Sequence, residues 1–167
     1  MRKWLLVLGL LHAVPSLAAV ALQQSVESLA RGSDAVVRGK VIKRAARWEG
    51  GRIFTEVEVK VSEVWRGQAP ASVKVSVPGG EVGRLGQSVE GSPTFGDGEE
   101  VALFLRKGGG PAYGVTGLAL GKFSLAGQTA FPRLDGMKVL PAHLPARERV
   151  IEPMAIAELR SRVGSAR

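Results

Sequence analysis

Residues 53–63 read Ile-Phe-Thr-Glu-Val-Glu-Val-Lys-Val-Ser-Glu, with β-branched residues at the odd positions from 53 to 61 and mostly charged or polar residues between them. Successive side chains of a β-strand point to opposite faces, so this period of two predicts a strand with one buried and one solvated face. Residues 48–51, Trp-Glu-Gly-Gly, predict the turn before it. Val64 and Trp65 break the alternation, which predicts a twist or bulge before the next turn.

The same kind of pattern recurs on both sides of this stretch. Alternating valines mark a strand over 35–45 and another over 72–77, which Pro78 ends. Residues 101–105 are apolar at every position, so they predict a central strand that is buried on both faces. Further short strands are predicted over 113–116, 122–125 and 129–131.

One short helix is expected at each end of this β-rich region. Ser25 is placed to cap a helix over 26–31 and Gly32 to end it, while Pro153 starts a second helix over about 153–163. Because no helical crossovers separate the strands, we predict an all-β, mainly antiparallel fold. The expected architecture is an OB-like, partly closed barrel of about six strands, with a β-sandwich as the alternative.

The first 21 residues have the order of a secretory signal peptide. A basic start at Arg2 and Lys3 precedes an apolar run at 4–11 and small-residue sites at 16–18 and 19–21. We therefore predict a cleaved signal peptide over 1–21, with a retained anchor as the alternative, and a single β-barrel domain over 22–167. The apolar run is shorter than the roughly 20 residues that cross a bilayer. We expect export to the periplasm or the medium and no transmembrane segment after cleavage.

Cysteine content and charge limit the chemistry of the chain. No cysteine is present, which removes thiol nucleophiles, thiolate metal ligands and disulfides. The formal net charge is +8, and loss of the two basic residues of the signal peptide leaves +6. A basic exported surface suits anionic lipid, lipopolysaccharide or acidic glycans, although charges spread along a chain are also typical of a solvated surface. We expect a monomer that does not bind nucleic acid.

The remaining polar residues give little support to catalysis. After signal cleavage His143 is the single histidine, too few for a zinc site and unaccompanied by a nucleophile elbow for a serine hydrolase. We predict no catalytic residue, no metal ligand and no cofactor. A glycan hydrolase stays possible if two carboxylates converge across a cleft. Its candidates are Glu81, Glu90, Asp97, Glu99 and Glu100.

A long connection interrupts the strands between Pro78 and Gly98. The apolar period disappears there and glycine recurs, and connections of this length without a core pattern usually carry function or move. Aromatic rings near strand ends can stack on sugars or peptides, although such rings more often plug a barrel. With two polar residues of the connection, the candidate binding residues are Trp48, Trp65, Arg84, Gln87, Phe95 and Tyr113.

Two groups of residues resemble known families. The first group resembles the opening of netrin-like domains, OB-type barrels that include tissue inhibitors of metalloproteinases; it comprises residues 33–41, 55–59, 63–67 and 98–105. This resemblance implies the fold alone, because those inhibitors bind the protease zinc through an N-terminal cysteine that is missing here. The second group is similar to a family of exported bacterial proteins that carries no assigned activity; it comprises Pro-Gly-Gly-Glu-Val-Gly at 78–83, Gly-Ser-Pro-Thr-Phe at 91–95 and Gly-Glu at 98–99.

These observations predict an exported, non-catalytic binding module of the bacterial cell envelope, whose contact surface is the connection between Pro78 and Gly98. Its expected partner is a protein or a glycan of the envelope. Two alternatives stay open. One is an envelope glycan hydrolase that uses the loop carboxylates. The other is a basic, adhesin-like protein that charge holds on anionic envelope polymers.

Overall fold

A computed structural model describes residues 20–22, 24–134, 137–140, 145 and 152–166. Residues 1–19 of the predicted signal peptide, and His143, lie outside the described residues. The strands are β1 (Val20–Leu22), β2 (Ala35–Glu49), β3 (Arg52–Gly67), β4 (Ser72–Pro78), β5 (Gly80–Val82), β6 (Leu85–Gln87), β7 (Glu100–Lys107), β8 (Tyr113–Val115), β9 (Lys122–Ala126), β10 (Thr129–Pro132), β11 (Lys138–Leu140) and β12 (Met154–Ala155). The helices are α1 (Val26–Arg31) and α2 (Ile156–Ser165), and Leu118–Gly121 form a single 3₁₀ turn. This content confirms the β-rich fold with a short helix near each end.

Five strands follow one another around a barrel. β2, β3 and β4 form an antiparallel meander, and β7 pairs antiparallel with the other edge of β2. β8 is antiparallel to β7 and parallel to β4, but β4 and β8 meet only at Val75 and Tyr113. The sheet is therefore ring-like without being closed, which confirms the predicted partly closed barrel. A partly open, five-stranded arrangement of this kind is typical of OB-type barrels.

The strand β7 separates two apolar cores. Val101, Leu103 and Leu105 face the inside of the barrel and pack with valines of β2, β3 and β4. Ala102 and Phe104 face outward and pack with α1, α2 and β9. All five side chains are completely buried. The prediction of a central strand buried on both faces is confirmed.

The outer core includes both helices. Ser25 caps α1 as predicted, since its hydroxyl oxygen accepts a hydrogen bond from the Ser28 N–H at 3.1 Å. Arg162 of α2 forms an ion pair with Glu27 of α1, with 2.8 Å between Nε and Oε1. The helix α2 begins three residues later than predicted, because β12 pairs with β10 just before it. None of the described helices is long and apolar enough to cross a membrane.

The β2–β3 hairpin is longer than the sequence predicts. β2 ends at Glu49 and β3 begins at Arg52. Gly50 and Gly51 alone therefore form the turn, with φ of 57° and 77°. Two central residues with positive φ give a turn whose twist matches that of the flanking strands, which lets the pairing continue to the tip. The predicted bulge is confirmed, because the strand pairing passes over Trp65.

Candidate functional site

The connection between Pro78 and Gly98 folds over one end of the barrel. Within it, β5 and β6 form a separate two-stranded hairpin with a turn at residues 83–84. The sequence predicts no regular structure here. The hairpin has no sequence signal, because none of the six residues of β5 and β6 is fully buried and no apolar alternation marks these strands.

Hydrogen bonds to β3 fix the base of this hairpin. Ile53 accepts from the Gly79 N–H at 2.8 Å through its carbonyl oxygen and donates its own N–H to Gln87 Oε1 at 2.9 Å. The Thr55 hydroxyl donates to the Gly79 carbonyl oxygen at 2.7 Å. Gly80 has a φ of 133°, and a Cβ there would lie 2.3 Å from Thr55 Oγ1. The close approach of the hairpin to β3 therefore requires glycine at position 80.

A cleft of about 750 Å³ lies between this hairpin, the distal part of β2 and the segment that follows β6. Its lining mixes glycine backbone, hydroxyl groups and apolar side chains, and it includes residues 44–46, 77–81, 86–89 and 92–95 together with Thr55. Ser92 is buried and donates its hydroxyl to the Pro78 carbonyl oxygen at 2.6 Å, which ties two lining segments together. The cleft therefore has walls that are held by hydrogen bonds and a lining that mixes polar and apolar groups, with Arg44 and Glu81 as its charged residues.

Phe95 closes the barrel beneath the cleft. Its side chain is only 7 % exposed and packs against the barrel core. The ammonium group of Lys122 lies 5.0 Å from the centre of the ring, and the Phe95 carbonyl oxygen accepts a hydrogen bond from Arg44. Phe95 is therefore a plug of the barrel core as well as part of the cleft floor.

A buried ion pair anchors the far end of this segment. Lys122 is 2 % exposed, and its Nζ lies 2.8 Å from Glu99 Oε1. The other carboxylate oxygen of Glu99 accepts from the Gly96 N–H at 2.7 Å, and the Ser124 hydroxyl also donates to Oε1. Two residues earlier in the chain, Asp97 forms an exposed ion pair with Arg44, with 2.7 Å between Oδ1 and Nε. Asp97 thus attaches this segment to β2, and Glu99 attaches it to β9.

Acid is expected to weaken the Glu99 anchor. Burial raises the pKa of Glu99, but hydrogen bonds from Gly96, Lys122 and Ser124 together lower it by more, so the net pKa lies below the ordinary value of 4.5. A lowered folded-state pKa stabilises the fold fully above pH 4.5, and this stabilisation is lost as the pH falls through the folded-state pKa. The difference in melting temperature between the wild type and Glu99→Gln should therefore be largest near pH 7 and shrink towards pH 3. A difference that stays constant over this range would contradict the assignment.

The six candidate binding residues do not form a single patch. Gln87 and Phe95 line the cleft. Trp48 is 50 % exposed near the tip of the β2–β3 hairpin, and Arg84 is exposed at the tip of the β5–β6 hairpin. Tyr113 packs, half-buried, against the barrel core from β8.

Trp65 lies at a different place, in a second cleft of about 460 Å³ between β3 and α2. Its indole N–H donates to Glu63 Oε2 at 3.1 Å. The same carboxylate forms ion pairs with Arg38 at 3.1 Å and Arg160 at 3.0 Å. Glu63 is therefore fully engaged in holding α2 and Trp65 against the barrel.

The five loop carboxylates occupy different environments. Glu81 lines the cleft, and Glu90 is half-buried within the segment that follows β6. The other three are engaged in ion pairs: Asp97 with Arg44, Glu99 with Lys122 and Glu100 with Arg38. Among the residues for which the structure gives a position, no group of three or more metal-ligating side chains is arranged to hold an ion. The cleft is thus lined by one of the five acids.

Comparison with known proteins adds no assignment to this geometry. No protein-family model matches the chain, and no curated protein matches it.

Proposed function

We propose that this chain is an exported, non-catalytic binding module of the bacterial cell envelope, and that the cleft beside the β5–β6 hairpin is its contact surface. The observation that carries the proposal is the cleft itself. Most of its lining comes from residues 79–95, a stretch that contributes no strand to the barrel. Sites of this kind, loops positioned by a rigid scaffold, are where binding residues are commonly found.

The placement of the carboxylates and the groups that line the cleft favour binding over hydrolysis. Hydrolysis of a glycosidic bond needs two carboxyl groups facing each other, about 5 to 10 Å apart. One of the five loop acids lines the cleft, and three of the others already hold cations. The cleft offers instead backbone groups, hydroxyls and a few apolar side chains, a combination that suits recognition of a protein segment or a glycan.

The relationship to netrin-like domains stays a proposal about the fold. It is supported by the meander of β2, β3 and β4 and by the return of β7 to β2. Without cysteine, the chain has no counterpart of the zinc-binding N-terminus of the metalloproteinase inhibitors. The proposed binding role therefore rests on the cleft and not on that family.

Filling the cleft with a large side chain tests this function. Gly86 lines the cleft, does not have a positive φ, and has room for a side chain, since a Cβ there would meet only Glu81 Cγ at 3.6 Å. Gly86→Trp should reduce capture of a specific species from cell-envelope extract at least tenfold, about 1.4 kcal/mol of binding free energy. Capture is measured by cross-linking and mass spectrometry.

A second glycine provides the matched control. Gly109 lies in the turn between β7 and β8, away from the cleft, and a Cβ there would meet no heavy atom within 4 Å. Gly109→Trp adds the same side chain and should capture the same species as the wild type. If the folded Gly86→Trp variant retains wild-type capture, the cleft is not the contact surface.

A further inference from the structure

The end of the barrel that lies away from the cleft carries a cluster of cations, which we call the basic end and define as Arg31, Arg106 and Lys107. Arg31 ends α1, and the other two end β7; all three are exposed. Asp34 brings the two elements together, because its N–H donates to the Leu105 carbonyl oxygen at 2.8 Å and its Oδ2 accepts from the Lys107 N–H at 2.7 Å.

The basic end holds three cations and one carboxylate, that of Asp34. None of the three side chains makes an ion pair with a described residue. The cations on the outer face of the β2–β3–β4 meander are partly neutralised. Several of them share carboxylates, in the pairs Arg38–Glu63, Arg38–Glu100, Arg47–Glu56 and Lys74–Glu56. Within the described part of the chain, the basic end therefore keeps all three of its cations unpaired, whereas the meander neutralises part of its positive charge and keeps unpaired cations at Lys43, Arg52 and Lys60.

The shape of the basic end argues for a broad partner. None of its three residues lines either of the two clefts. Exposed cations outside these two clefts suit an extended anionic surface better than a small anion, which needs convergent donors in a pocket. The distance to the cleft is also large, since β2 runs from Ala35 at the basic end to Arg44 at the cleft, roughly 30 Å along an extended strand.

We propose that the basic end docks the protein on a bilayer surface that carries anionic phospholipid headgroups, with the cleft facing away from the membrane. Near such a surface each lysine or arginine strengthens binding about fivefold, so three of them contribute about 100-fold. The attraction is screened by salt, because the Debye length falls from about 10 Å at 0.1 M to about 3 Å at 1 M. This inference does not depend on what the cleft binds.

Vesicle co-sedimentation of the full chain tests the proposal. The probes are vesicles of phosphatidylcholine with 30 % phosphatidylglycerol, and vesicles of phosphatidylcholine alone, which measure what the apolar N-terminal segment contributes. The triple variant Arg31→Gln, Arg106→Gln, Lys107→Gln should bind the anionic vesicles about 100-fold more weakly at 50 mM salt. Raising the salt to 0.5 M should weaken wild-type binding in the same way.

A second triple variant distinguishes the effect of where the cations lie from the effect of the net charge of the protein. Lys43, Arg52 and Lys60 are also exposed and make no described ion pair, but they lie on the β2–β3 hairpin. Their replacement by glutamine removes the same charge and should leave binding within a fewfold of the wild type. Equal losses in the two triple variants, wild-type affinity in the first one, or equal wild-type binding to neutral and anionic vesicles would each overturn the proposal. Circular dichroism and melting temperature confirm that each variant is folded.

Discussion

Replacement of Glu99 by alanine is expected to lower the free energy of unfolding by up to about 3–5 kcal/mol, the range for removing one partner from a fully buried ion pair, because Lys122 is buried while the Glu99 side chain is 20 % exposed. The ammonium group of Lys122 would stay in the core at 2 % exposure, without its carboxylate. The Gly96 N–H and the Ser124 hydroxyl would also lose their acceptor. Urea denaturation at pH 7 measures the change.

Asp97 provides the internal control for this effect. It lies on the same segment and also pairs with a cation, Arg44, but its side chain is 78 % exposed. Exposed ion pairs contribute little to the free energy of folding, because water already solvates both charges. Asp97→Ala should therefore have a much smaller effect than Glu99→Ala, and equal effects of the two substitutions would contradict the assigned anchor.

A double replacement tests why Glu99→Ala lowers the stability of the fold. If the cost of Glu99→Ala comes from a stranded ammonium group, Glu99→Leu combined with Lys122→Met should recover most of the lost stability, because apolar residues of similar volume often replace buried pairs without penalty. A double variant that is as unstable as Glu99→Ala would indicate that the lost hydrogen bonds, and not the buried charge, dominate.

Truncation of Phe104 should cost a similar amount, about 3–5 kcal/mol, the usual range for a buried phenylalanine replaced by alanine. Phe104 is completely buried on the outer face of β7, with its ring centroid 6.0 Å from that of Phe123. The side chain fills the space between the barrel and the helices, so its loss leaves a cavity where β7, β9 and the helices meet. Chemical denaturation measures this change as well.

Phe131 on β10 is the matched phenylalanine. It is 38 % exposed and lies toward the edge of the sheet. Phe131→Ala should lower the stability by much less, since a smaller apolar area leaves contact with the protein. If the two substitutions have equal effects, β7 does not have the central position described here.

The order of apolar and polar residues along the chain was sufficient to predict most strands of the barrel. The alternation over 53–63 predicted β3, and five apolar residues in succession predicted that β7 is buried on both faces. Both predictions depend on the relation between side-chain period and burial, which is local in sequence. The bounds of the β2–β3 hairpin were less accurate, because only the two glycines at its tip leave the strand geometry.

The details of the candidate site depend on contacts between distant parts of the chain. Nothing in the sequence near Lys122 indicates that it is buried, because its carboxylate partner lies 23 residues earlier. The sequence predicts Gln87 as a ligand contact and gives no sign of the hydrogen bond that its side-chain oxygen accepts from the β3 backbone 34 residues away. The parallel contact of β4 with β8 likewise has no local signal. Such features follow from the packing of the connection onto the barrel.

Site-specific photo-cross-linking tests the central claim, that the cleft beside the β5–β6 hairpin is the contact surface. A photoreactive amino acid replaces either Ser88, which lines the cleft, or Lys60, which is exposed on the outer face of β3. After irradiation in cell-envelope extract, we predict a specific cross-linked species from position 88 and none from position 60. Cross-linking from position 60 with no product at position 88 would contradict the account.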